Sequence, residues 1–204
     1  MATDPLELAY PFTGRWLVQN SPADHVPSHG TVRFASSYAI DFVPVDDSGR
    51  SAAFGLESLL RPQPPEKFVG FGRAVLAPAE GTVVAVHHSA PDHPAHRGLP
   101  SLGYALTQRR RVDAGWLALA GNHVMIRTAR GIVVLCHLQR GSAQVSPGED
   151  VRIGDEIGRC GNSGNSTEPH LHVQAIDALD ISRAAAVPIR FGESLPASGT
   201  IVEG

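Results

Sequence analysis

Lysine is almost missing from this chain. Lys67 is the only one in 204 residues, and 17 Lys and Arg together stand against 20 Asp and Glu. A net charge of -3 gives no reason to expect a nucleic-acid partner. The one basic run, Arg109 to Arg111, is too short to argue from and reads as a solvated loop. Cysteine is equally scarce. Cys136 and Cys160 are the only two, and they do not form a metal-type CxxC pair. Small buried residues are the expectation, with a disulfide left open. No window reaches the ~18 apolar residues of a membrane-crossing helix, so no membrane span is expected. The start, MATDPLELAYPF, has no basic n-region and no long apolar run, so no signal peptide is expected there. Localisation is therefore open: cytoplasmic as read, extracytoplasmic if the chain was trimmed.

Long helical patterns are also rare, whereas Gly (21) and Pro (16) are abundant. Together they imply short strands joined by many turns, with no βαβ rhythm. The expected fold is all-β: a groove-bearing antiparallel β-sandwich of duplicated hybrid-motif type, with loop insertions. Its length suits one domain, 1–204. Residues 1–30 read as an N-terminal extension and first strand, and 47–71 and 88–120 as insertions. Within the first insertion, SAAFGLESLL reads as a short helix broken by PQPP. GRWLVQN (14–20) and YAIDFVPV (38–45) read as strands, and 72–89 as two strands around the turn Pro78–Gly81. Residues 121–140 read as a hairpin turning at Ala129–Gly131, with Val124, Ile126, Val133 and Leu135 alternating.

Chemistry gathers in GRCGNSGNSTEPHLHVQA, residues 158–175. Gly, Asn, Ser and Thr make turns. Pro169 then starts an extended segment, in which residues i and i+2 share a face. His170 and His172 thus point to one side, roughly 6–7 Å apart at their Cα atoms. Paired imidazoles at the mouth of a polar loop suit a metal or a proton transfer. Asp41 lies in an apolar strand, where a buried carboxylate needs a cation or a set of hydrogen bonds. His87, His88, His93 and His96 lie in irregular surroundings and read as solvated. Asn162, Asn165, Ser166 and Thr167 read either as cleft lining or as turn chemistry.

From Gly72 onward the chain resembles the lysostaphin/LytM-type zinc metallopeptidases, many of which cleave peptide bonds of bacterial peptidoglycan. The matching pieces are VLAPAEGTVVAV (75–86), GNHVMIRTARGIVVLCHL (121–138), VSPGEDVRIGDEIGRCGNSGNSTEPHLHVQ (145–174) and, earlier, YAIDF (38–42). The resemblance implies that Zn2+ is the cofactor, with His172 and Asp41 as metal ligands and His137 and His170 as the catalytic pair. It also implies a peptide or peptidoglycan substrate. The family's first ligand stands four residues before the Asp, where this chain has Ser37. His29, twelve residues before Asp41, is expected to replace it as a metal ligand if VRFASS folds back; His25 is the weaker candidate.

Two other readings compete. A catalytically inactive domain of the same fold would keep the groove and bind a glycan, peptide or protein, and the loss of His at position 37 favours it. APAEGTVVAV and VSPGEDVRIGDEIG also resemble lipoyl and biotinyl carriers and glucose-type phosphocarriers. Lipoyl or biotin carriage needs a lysine at a hairpin tip, and Lys67 lies elsewhere, in PPEKF. Phosphocarriage needs neither Asp41 nor a metal.

Overall fold

A computed structural model describes residues 4–53, 55, 60–97, 100–101 and 108–204. Its strands are β1 (Leu6–Leu8), β2 (Arg15–Gln19), β3 (Ile40–Pro44), β4 (Ala74–Leu76), β5 (Gly81–His87), β6 (Asn122–Arg127) and β7 (Ile132–Leu138). They continue with β8 (Asp150–Val151), β9 (Glu156–Arg159), β10 (Leu171–Ile176), β11 (Ala186–Val187), β12 (Ile189–Phe191) and β13 (Ile201–Glu203). The large sheet runs β13-β2-β3-β10-β7-β6-β5-β8, with β11 beside β10. Every pairing in it is antiparallel. The fold is all-β and antiparallel, as its composition implies. The short β1–β12 pair is parallel, a contact across the chain's two ends that no local pattern signals.

Alternation along the strands divides the sheet into two faces. Trp16, Val18, Ile40, Phe42, Val124, Ile126, Val133, Leu135, Leu171 and Val173 project to one side and form the main core. The small sheets cover it: Leu8 and Phe191 from β1–β12, Val75 and Ile157 from β4–β9. Aromatic contacts run through this core, with Phe12 and Trp16 stacked at 4.3 Å and Phe42 edge-on to Phe12 at 5.0 Å. The opposite face carries Asp41 and His172 between smaller apolar residues such as Val134 and Cys136. β4 and β5 flank the expected turn, but β4 pairs with β9 and β5 with β6 and β8 rather than with each other.

The two expected insertions border that second face. Ala52 bridges to Phe68 and Gln63 to Ala95, and Ala52, Phe68 and Ala95 close a small separate cluster. Ala52 is thus in a bridge rather than a helix, while most of the expected SAAFGLESLL helix falls outside the described residues. Residues 108–120 hold two short helices, α1 (Gln108–Asp113) and α2 (Trp116–Ala120), where loop was expected. WLALA is rich in helix formers, and Gly121, at φ +59, ends α2. At that corner the backbone must approach closely. A Cβ on Gly164 (φ +74) would lie 2.5 Å from Gly121 N.

Candidate metal centre and active site

Register brings the site together. His172 of β10 stands opposite Asp41 of β3 on one side and Cys136 of β7 on the other. His29 arrives from the segment before β3, which folds back toward that strand. Ser28 N donates to the Ser37 carbonyl (3.0 Å) and Ser28 Oγ to the Ala39 carbonyl (2.6 Å). Ser37 thus supplies a backbone acceptor to the loop that delivers the histidine. His25 is exposed on the cleft wall, away from this cluster. His29, Asp41 and His172 bring one ligand atom each within 4.8 Å of one another, and they are the one group of this kind among the described residues.

Hydrogen bonds fix which nitrogen of each ring faces inward. The Ser28 hydroxyl proton goes to Ala39, so Ser28 Oγ accepts from His29 Nδ1–H at 3.0 Å. The lone pair of His29 Nε2 then faces Asp41 Oδ2 at 3.0 Å. His172 Nε2–H donates to Gln174 Oε1 (2.9 Å), and the Gln174 amide donates to the Phe34 carbonyl (2.9 Å), which fixes the amide's direction. His172 Nδ1 therefore turns its lone pair to Asp41 Oδ1 at 2.9 Å. Two imidazole lone pairs against a carboxylate repel unless a cation lies among them. This donor set, two nitrogens and a carboxylate with the outer ring nitrogens engaged, fits a divalent cation such as zinc. Asn20 Nδ2 donates to Asp41 Oδ2 at 2.7 Å. Without a cation the rings must instead turn N–H toward the carboxylate: burial then pushes the Asp41 carboxyl up, but the charge of His29 and the hydrogen bonds from His172 and His29 hold it well below the usual carboxylate range. Burial lowers the His29 pKa, yet the Asp41 charge and hydrogen bond outweigh it and leave it raised.

Two further histidines face the same centre. His170 Nδ1–H is held by the Glu168 carbonyl (2.8 Å) and Ser166 Oγ (2.9 Å), and its Nε2 lies 3.8 Å from Asp41 Oδ1. His137 Nδ1–H donates to the Ser163 carbonyl at 2.9 Å. The His137 and His170 rings are 4.6 Å apart, and His137 is 5.9 Å from His172. Burial, helped by His170 and His172, pushes the His137 pKa well below its ordinary value. Both rings thus keep an unshared Nε2 turned inward.

His137 reaches the cleft through a break in the strand. Asn122 pairs with Leu138 and His123 with Cys136, so His137 is the extra residue of a β-bulge, at φ +64. Strict alternation would have sent it away from Cys136; the bulge turns both to the cleft. That cleft has a volume of about 1160 Å³ and is walled by Phe34 and Trp116, whose rings lie 6.0 Å apart.

All five predicted site residues meet here. Sequence reasoning passed over Asn20, Ser28, Ser163 and Gln174, which orient them. Gln174 had a signal: it lies two residues after His172 on one strand, hence on the same face. Asn165 and Thr167 line the cleft and Ser166 supports His170. His93, expected to be solvated, instead donates from Nε2 to the Gly164 carbonyl at 3.0 Å. Cys136 and Cys160 are free and buried, and burial pushes both thiols up.

Residues 104–181 match the model of peptidase family M23. Solved structures of similar proteins include the catalytic domain of the antimicrobial peptidase lysostaphin from Staphylococcus simulans, at 19% identity over 73% of this chain and 74% of that one, TM-score 0.41. Pseudoalterin, an M23 metalloprotease from the deep sea, is 15% identical over 100% of this chain and 96% of its own, TM-score 0.47. A zinc-containing peptidase from Vibrio cholerae is 21% identical over 70% of this chain and 37% of its own, TM-score 0.37. The family match covers His137, His170 and His172 and falls on the part of the chain that carries the motif resemblance to lysostaphin-type peptidases.

Proposed function

We propose that this protein is a zinc metalloendopeptidase that hydrolyses peptide bonds, with the cross-linking peptides of peptidoglycan as its substrate class. The observation that carries this reading is the convergence of His29 Nε2, Asp41 and His172 Nδ1 beside two further histidines with inward Nε2 atoms. His29, Asp41 and His172 would hold the ion. Bound there, zinc supplies a Lewis acid that polarises a carbonyl and acidifies water.

The chain's own residues do the rest. His137 and His170 keep Nδ1–H on backbone carbonyls, so each bare Nε2 can take a proton from the attacking water, and the ring so protonated can then donate a hydrogen bond to the developing oxyanion. Burial, with His170 and His172 beside it, lowers the His137 pKa and so favours its neutral ring. The protonated ring then returns its proton to the departing amine. Phe34 and Trp116 narrow the cleft above the site, which suits an extended peptide.

The test is release of new amino groups from purified peptidoglycan and from short cross-bridge peptides by zinc-loaded protein. Activity lost in His137→Ala and His170→Ala, with zinc retained, supports the assignment. Cleavage that survives His170→Ala contradicts it. Tight peptidoglycan binding with no cleavage by the wild type would favour a non-catalytic groove.

A further inference from the structure

Glu168 stands between the expected insertions and His170, and its side chain and backbone do different jobs. The side chain leaves the metal centre. Ser51 Oγ donates to Glu168 Oε2 at 2.5 Å, and Arg97 Nη2 lies 3.1 Å from the same oxygen and 2.5 Å from Ser51 Oγ. Arg97 in turn sits over the buried Phe68 ring, 5.1 Å from its centroid. The carboxylate is thus clamped by one residue from each expected insertion. The Glu168 carbonyl, by contrast, accepts from His170 Nδ1–H at 2.8 Å and from Ser166 Oγ at 2.6 Å.

The clamp is reinforced along the chain. The segment that brings Arg97 runs beside the 161–168 loop: His93 N donates to the Asn162 carbonyl (3.2 Å), and His96 N to the Thr167 carbonyl (2.7 Å). On the other side, Pro169 restricts the backbone of Glu168 to extended conformations. With side chain and following residue both fixed, the carbonyl of residue 168 has little freedom left. Glu168 also lines both the large cleft and a neighbouring cavity of about 340 Å³ that contains Ser51 and Arg97.

The geometry points to Glu168 as a positioning residue: its ion pair with Arg97 and hydrogen bond from Ser51 hold the carbonyl that orients His170 and fixes its tautomer. The segments around Ser51 and Arg97 thereby set the angle at which His170 Nε2 meets the centre. This rests on the catalytic role proposed for His170, so the experiment needs a readout independent of hydrolysis. In histidine-labelled protein, the hydrogen-bonded His170 Nδ1–H proton is followed by NMR in wild type, Glu168→Ala, Arg97→Ala and the double variant. His170→Gln assigns the signal.

The expected result is a shifted or exchange-broadened His170 signal in both single variants, with zinc content unchanged. The value of kcat falls on the order of tenfold while KM stays near wild type, as misplacement of a reacting group predicts. The double variant is no worse than Glu168→Ala, because the two residues act as one unit. If Glu168→Ala does not fold, Glu168→Gln, which keeps the acceptor for Ser51 and loses the charge, must show a smaller change of the same kind. An unmoved His170 signal in a folded variant overturns the proposal, as does a rise in KM alone. If the wild type proves to be no hydrolase, the NMR comparison still decides whether Glu168 positions His170.

Discussion

At the scale of single residues, the site is built by groups that choose which ring nitrogen points inward. Gln174 is the clearest case, because it takes His172 Nε2–H and passes its own amide proton to Phe34. Gln174→Leu keeps much of the volume and removes both bonds. Zinc affinity, measured against a competing chelator, is expected to fall about 10–100-fold, the usual range for a lost partner of a ligating histidine. An unchanged affinity would remove Gln174 from the account. HLH and the acid in an apolar strand were legible because ligand spacing and strand period coincide. The orienting residues were less so. Ser28 and Ser163 act through backbone carbonyls and hydroxyls, which leave no side-chain signature in a turn-rich sequence.

His137 shows where alternation fails. The CHL segment reads as regular strand, yet a bulge and a left-handed backbone turn the imidazole to the cleft. Such a conformation in a non-glycine residue costs on the order of 1–3 kcal/mol and gathers at functional sites. Asn tolerates it better. His137→Asn is therefore expected to lose hydrolysis while its Tm holds or rises. A clear fall in Tm would mean that the imidazole also supports the fold.

Elements carry the next level of specification. The turn after β9 and the end of α2 meet through glycine, with Gly121 and Gly164 so close that neither tolerates a Cβ. Gly164→Ala adds a positive-φ alanine to that collision, and urea unfolding should show a loss of more than about 1 kcal/mol. The many glycines of this stretch announced turns, but not which of them touches another element, since that depends on contacts far apart in sequence. The same holds for β4 and β5. Their turn was visible, but their partners are set by sheet order. The helices of 108–120 were hidden by their shortness, as five or six residues give too little periodicity to read.

For the molecule as a whole, one sheet separates a dry core from a wet cleft, and two buried histidines on the cleft side tie stability to pH. Burial lowers the pKa of His137, and of His123, despite the hydrogen bond from His123 to the Gly121 carbonyl. Unfolded, both return to about 6.5 and bind more protons than the folded protein does. Their contribution to stability is therefore full above about pH 6.5 and declines as pH falls through the lowered folded values. Thermal unfolding from pH 7.5 down to 5 should show this loss, with a shallower slope in His123→Gln; an identical slope would exclude His123 as a contributor. The all-β class and the antiparallel order were readable from composition and alternation. The parallel β1–β12 closure was not, because it joins segments more than 180 residues apart.

In the proposed metal centre His29 takes the position that Ser37 leaves and joins Asp41 and His172. Metal content of purified protein by elemental mass spectrometry, on wild type, His29→Ala and Asp41→Ala, tests it most directly. Near-stoichiometric zinc is expected in the wild type, with its loss in both variants. Zinc retained by His29→Ala, or a wild type that takes up none when zinc is offered, would contradict it.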